Sequence, residues 1–285
     1  MNKILVTGGN TGIGFALCKQ LVIDHGCHIF LASRNSAKGA EAASSIQSLI
    51  PEGCGGSVDW ITLDVGEDAS IAAAAEELKL KLKGQTLFGI VNNAGVGPQQ
   101  SSAEEIINVN LYGPKRVVDA FGCMLGPGGR IVNVGSGSGP TYVNKCPPDV
   151  QKLLCSPPSS WDEIVSWASI SSDESSGVGS KADAMGGYGV SKALLASYTM
   201  LLANQNPSWV VSCCSPGFIS TKLTAGWGAS KAPDEGTLAI KKCLFESLEG
   251  NGWYYGSDGV RSPYHFMRNP GMQLLLFFTA LALTI

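Results

Sequence analysis

Seven short apolar runs recur along the chain: "KILVTG", "HIFLAS", "VDWITLDV", "FGIVNNAG", "GRIVNVGS", "SWVVSCCSPG" and "GWYYGSDG". Each is strand-length, rich in branched or aromatic side chains and bounded by Gly, Ser, Asn or Asp, so each is predicted to be a β-strand. Between them, Phe15 to Asp24, Ala69 to Lys83, Glu104 to Leu125 and Ser191 to Asn206 have helical periodicity or helix-forming composition. Strand and helix in alternation predict βαβ units, and hence an α/β fold with a doubly wound, Rossmann-type parallel sheet in one domain.

One interval breaks the rhythm. From about 137 to 187 no strand pattern occurs, and prolines stand at 140, 147, 148, 157 and 158. Val150, Leu153 and Leu154, then Trp161, Ile164, Val165 and Ala168, recur at helical spacing. The reading is an insertion of two short amphipathic helices followed by a Gly/Ser-rich loop. A second departure is the tail, "MQLLLFFTALALTI" at 272–285, which follows the domain at 1–271. As a helix it reaches about 20 Å, short of the roughly 30 Å hydrocarbon layer. Three readings stay open for it: a buried segment closing over the core or pocket, an interfacial or shortened membrane anchor through residues 273–285, and an artefact of the chain's end.

Composition narrows the class. With 44% hydrophobic and 15% charged residues, the 285-residue chain has material for a large core, which argues against disorder. Twenty Lys and Arg against 23 Asp and Glu, without a basic block, argue against nucleic acid as the partner. Nine cysteines lack a CxxC pair or histidines at ligand spacing, which predicts reduced thiols, no metal site and a cytoplasmic setting. "MNK" leads straight into "ILVTGG", so no N-terminal leader is expected.

The candidate chemistry begins at "TGGNTGIG", residues 7–14, between the first strand and the first helix. Glycine there lets backbone N–H groups at a helix N-terminus approach a phosphate. The spacing Gly8, Gly12, Gly14 differs from GxGxxG, and alone it describes a turn equally well. About 20 residues on, the position that meets the adenosine ribose is an acid in NAD sites and an arginine in NADP sites. Here "LASRN" offers Ser33 and Arg34 and no acid, which points to NADP(H). Farther on, "YGVSK" sets Tyr188 and Lys192 on one helix face, and "IVNVGS" ends a strand at Ser136.

Together, "TGGNTGIG", "LDV", "NNAG", "NVNLYG", Ser136, "YGVSK" and "SPGFIST", in that order between residues 3 and about 271, resemble the short-chain dehydrogenase/reductase family. The resemblance implies that Asn110, Ser136, Tyr188 and Lys192 form a catalytic tetrad. It also implies that Gly8, Asn10, Thr11, Gly12, Ile13 and Gly14 cradle the cofactor with Ser33 and Arg34. Asp64 and Val65 would meet the adenine, and Asn92, Ala94 and Gly95 the nearby ribose. Pro216, Gly217, Ile219 and Thr221 would meet the nicotinamide end, with Tyr188 and Lys192 on the ribose. Tyr188 would donate the proton, with its pKa lowered beside Lys192; Ser136 would hold the carbonyl oxygen; Asn110 would anchor a water relaying protons to Lys192.

Fifty-two positions separate Ser136 from Tyr188, far more than in most members. An insertion of this kind, and "YYGSDGVRSP", resemble the carbonyl reductase subgroup and its plant relatives acting on alkaloid and terpenoid ketones. In that subgroup the insertion covers the helix face used for tetramers, which implies a monomer. Two departures stand out: Ser136 and Ser138 in "VGSGSG", of which Ser136 is taken as catalytic, and Thr11, where close relatives often have a basic residue. The expected function is NADPH-dependent reduction of an aldehyde or ketone, a small-molecule substrate in a pocket lined by the insertion, Val96, Phe218 and Trp227. The alternatives are an NADP-dependent dehydrogenase of a hydrophobic secondary alcohol, sterol or retinol, and a cofactor-binding regulator without turnover.

Overall fold

A computed structural model describes residues 1–172 and 187–261. The predicted tail, the predicted end of the domain and most of the Gly/Ser-rich loop lie outside the described residues. All seven predicted strands are present: β1 (Lys3–Thr7), β2 (His28–Ser33), β3 (Ser57–Thr62), β4 (Leu87–Asn92), β5 (Leu125–Val134), β6 (Val210–Cys214) and β7 (Trp253–Tyr255). They form one parallel sheet in the order β3-β2-β1-β4-β5-β6-β7. Strand order reverses between β1 and β4, where Val6 lies beside Leu31 on one side and Val91 on the other.

Helices cover both faces, which is why the strands read as continuous apolar runs. Leu5, Phe30 and Ile90 face α3 (Asp68–Leu82) and α5 (Gly113–Phe121) through Leu78, Val117 and Phe121. On the opposite face, Val6, Leu31 and Val132 meet Leu17 and Leu21 of α1 (Gly12–Ile23) and Leu244 of α10 (Leu238–Phe245). Each such side chain contributes about 1.5–3 kcal/mol by leaving water.

Three helices were not legible. The helix α2 (Ser36–Gln47) buries Gly39, Ala42, Ala43 and Ile46, a face too small-residued to give a strong periodic signal. Its start is set by Asn35, whose side chain accepts the Lys38 N–H at 2.9 Å. The short α10 was likewise not predicted. In the insertion, three helices replace the expected two: α6 (Ser138–Lys145), α7 (Pro148–Leu154) and α8 (Trp161–Ser172). Gly and Pro disguise α6 as a turn, yet its Gly139 lies so close to the next long helix that a Cβ would come 3.1 Å from Ala193 N.

That long helix is α9 (Tyr188–Gln205), buried nearly all round between the sheet and the insertion. Trp161 of α8 stands edge-on to Tyr198 of α9 at 5.3 Å and to Tyr112 at 5.5 Å. The predicted single helix from Glu104 to Leu125 is broken into α4 (Ala103–Ile107), a π-helical turn (Asn108–Tyr112) and α5. Asn110 occupies the middle of the π-turn, an arrangement frequent at functional sites.

Candidate active site

A cavity of about 550 Å³ opens beyond the carboxyl ends of the strands, at the reversal between β1 and β4. Its floor is the glycine turn. Gly12 has a left-handed φ of +55°. A Cβ on Gly14 would stand 2.3 Å from the Gly8 carbonyl oxygen and 2.4 Å from Asn93 Nδ2, so only glycine lets α1 approach the turn. Asn93 ties the two strand ends together. It donates from Nδ2 to the carbonyls of Thr7 at 2.9 Å and Gly8 at 3.3 Å, and its backbone N–H donates to Thr7 Oγ1 at 3.0 Å.

Most predicted cofactor residues come together on this wall: Gly8, Asn10, Thr11, Gly12, Ile13, Gly14, Ser33, Arg34, Asp64, Val65, Ala94, Gly95 and Thr221. Asn92 does not. It is 2% exposed and donates to Asn133 Oδ1 at 2.8 Å; Asn133 in turn donates to Thr199 on α9, so Asn92 links β4 to β5, and Asn93 takes its place at the cavity. Pro216, Gly217 and Ile219 are off the wall, with Ile219 only 2% exposed. Of the residues expected at a substrate pocket, Val96 lines the cavity; Phe218 is half exposed, and neither it nor Trp227 is part of the lining. Sequence reasoning missed Lys38, Asn93, Gln99, Gln100, Lys222 and Leu223. Lys38 had a signal, because it follows Arg34 by four positions at a capped helix start.

Behind Gly95 lie Asn110 and Lys192 of the expected tetrad; neither they nor Ser136 and Tyr188 are part of that lining. The phenol of Tyr188 is hydrogen-bonded to the Ser136 hydroxyl, and Lys192 Nζ is 5.7 Å from the Tyr188 ring centroid. That amine donates to the Val134 carbonyl at 2.9 Å, and a Cβ on Gly95 would sit 3.6 Å from it. Asn110 accepts from Val96 N–H at 2.9 Å and donates from Nδ2 to Val96 O and Ser191 Oγ at 3.0 and 3.1 Å. Both amide hydrogens are thereby committed. The side chain fixes the loop at Gly95–Val96.

Burial changes the acid–base picture. Desolvation lowers the Lys192 pKa to about 8, partly opposed by Cys213 and Cys214. The Tyr188 pKa is raised by burial, with the Ser136 hydrogen bond opposing, which reverses the expected lowering. A phenol so placed holds its proton. The half-buried Ser136 and the buried Tyr188 thus form a hydroxyl pair, with the Lys192 amine on the ring side of the phenol.

Residues 2–147 match the family model of the short chain dehydrogenases, and the chain belongs to that family. It is 30% identical to (+)-neomenthol dehydrogenase of Arabidopsis thaliana, covering 86% of this chain and 92% of that one. It is also 30% identical to carbonyl reductase (NADPH) 1 of Homo sapiens, over 81% of this chain and 86% of that one. Among solved structures, salutaridine reductase from Papaver somniferum superposes with a TM-score of 0.76 at 26% identity, covering 90% of this chain and 99% of that one. Menthone neomenthol reductase from Mentha piperita gives 0.72 at 25% identity, over 90% and 98%.

Proposed function

We propose that this protein is an NADP(H)-dependent oxidoreductase that reduces the carbonyl of an aldehyde or ketone. The observation that carries the reading is the hydroxyl pair of half-buried Ser136 and buried Tyr188, backed by Lys192, beside a glycine-floored cavity. The cavity fits the cofactor: it has a cradle that a Cβ on Gly14 would fill and two cations, Arg34 and Lys38, at one end. Neither cation belongs to an ion pair among the described residues. A 2′-phosphate would satisfy both, and the name of the human relative, carbonyl reductase (NADPH) 1, supports the same choice.

When bound, a reduced nicotinamide supplies a hydride. The chain's own residues do the rest. Ser136 Oγ donates a hydrogen bond to the carbonyl oxygen, and the Tyr188 hydroxyl gives that oxygen its proton. Lys192 Nζ stabilises the resulting tyrosinate. The raised Tyr188 pKa keeps the phenol in the protonated form that reduction needs. The cover that Trp161, Ile164 and Trp167 place over α9 supports a monomer.

An assay of aldehydes, quinones and cyclic ketones with NADPH and NADH in parallel tests the reading. Turnover of some member with NADPH is expected, and Arg34→Asp should lower kcat/KM with NADPH by about 10²-fold while improving the ratio for NADH, since a carboxylate repels the 2′-phosphate. An unchanged cofactor ratio would remove Arg34 from this role.

The pH profile follows from Lys192. Reductive kcat/KM should be flat below about pH 8 and fall about tenfold per unit above it, because the free enzyme loses the ammonium that stabilises tyrosinate. A profile flat to pH 10 contradicts the assignment.

A further inference from the structure

On the side of the cavity away from Arg34 and Lys38, a strap that follows β6, residues 217–226, gives Thr221, Lys222 and Leu223 to the wall, and Lys222 is a third cation. The strap is held at several points. Ser220 N–H donates to Lys231 O at 2.8 Å, and Thr221 N–H donates to Thr224 Oγ1 at 3.0 Å. Across the cavity mouth, Gln99 Nε2 donates to Ala225 O at 3.2 Å, and Leu223 lies against Gly97, whose Cβ would stand 3.1 Å from Leu223 Cγ. On the floor side, Thr221 Cγ2 would be 3.3 Å from a Cβ on Gly12. Lys222 is thus set on a pinned backbone next to the glycine turn. It is exposed, and no ion pair among the described residues includes it.

The cavity therefore has two cationic centres. Arg34 and Lys38 stand at the end of β2 and the start of α2, and Lys222 follows Thr221, which packs against Gly12 at the start of α1. The one carboxylate on the wall, Asp64, has Oδ1 occupied by the Gly66 N–H at 2.9 Å. A dinucleotide with a 2′-phosphate also has two anionic centres, that phosphate and the diphosphate. The glycine turn itself brings no charged side chain to the second, since position 11 is threonine. Without Lys222, backbone N–H groups and the helix dipole alone would offset the diphosphate charge.

We propose that Lys222 is a cofactor-binding residue that meets the diphosphate from the strap, while Arg34 and Lys38 hold the 2′-phosphate. This rests on the NADP(H) reading above. It follows that Lys222 serves NADP and NAD equally, whereas Arg34 distinguishes them.

The test is equilibrium binding of NADP+ and of NAD+ to the full chain, followed by fluorescence at low salt without substrate. Lys222→Met is expected to raise both Kd values by the same factor, about five- to tenfold, with the gap narrowing as salt is raised, and Lys222→Arg to restore both. Arg34→Ser is expected to raise the Kd of NADP+ alone. Lys222 is exposed, so its variants should melt with the wild type. Unchanged binding of both dinucleotides by Lys222→Met overturns the proposal, as does weakening confined to NADP+. Failure of the wild type to bind either dinucleotide would instead sink the cofactor reading, and this proposal with it.

Discussion

Tyr188→Phe is expected to lower kcat by about 10³-fold, equivalent to about 4 kcal/mol of transition-state stabilisation, with NADPH affinity unchanged. The ring is buried, 7% exposed, so phenylalanine retains its packing on α9 and against the sheet. What it loses is the hydroxyl that the Ser136 hydroxyl meets. Only the proton donor is removed, so the defect should lie in turnover and not in binding. Stability separates this from damage to the fold: a melting temperature close to that of the wild type is expected. A kcat within tenfold of wild type would remove Tyr188 as the proton donor and leave Ser136 without its partner in catalysis.

The second large effect concerns the floor of the cavity. In Gly14→Ala, the new methyl would stand 2.3 Å from the Gly8 carbonyl oxygen and 2.4 Å from Asn93 Nδ2. The first is a backbone atom and cannot rotate away, so the start of α1 must move off the turn. The Asn93 bonds that join β1 to β4 would be strained by the same displacement. Overpacking of this kind costs about 2 kcal/mol, which for a domain of this size corresponds to roughly 4–8 °C in melting temperature. Dinucleotide affinity should fall further, by about 10²-fold, because the displaced N–H groups are those aimed at the diphosphate. Calorimetry and equilibrium binding on the same preparation check both. A stable variant that binds NADP+ normally would show that the turn tolerates a side chain and is not the cradle.

These two residues differ in how they were found. Tyr188 stands in a sequence pattern whose spacing already places it with Lys192, whereas the reason for glycine at position 14 lies in the nearby Gly8 carbonyl oxygen and in Asn93, nearly 80 residues away. The same contrast recurs across the site. Arg34 follows a recognisable strand and needs no fold to suggest its role. Lys222 acquires one only because the strap after β6 returns over Gly12. The tetrad was legible as four residues, yet the surroundings of two of them came only with the fold. Asn110 turns out to clamp the Val96 backbone, and burial raises the Tyr188 pKa where proximity to Lys192 had led to the opposite expectation.

By itself the sequence determined the seven strands, the parallel α/β class, the site of the insertion and the chemical types at the tetrad. Those properties follow from local periodicity and from glycine, tyrosine and lysine at fixed spacing, which neighbouring residues set. Only the tertiary structure decided that Asn93 and not Asn92 faces the cavity, that the long helix breaks at Asn110, and that Lys38 and Lys222 join Arg34 around one space. Hydrogen-bond partners 40 to 90 residues apart and the loss of water around a titrating group arise when separate elements meet, and no local pattern encodes which elements those will be.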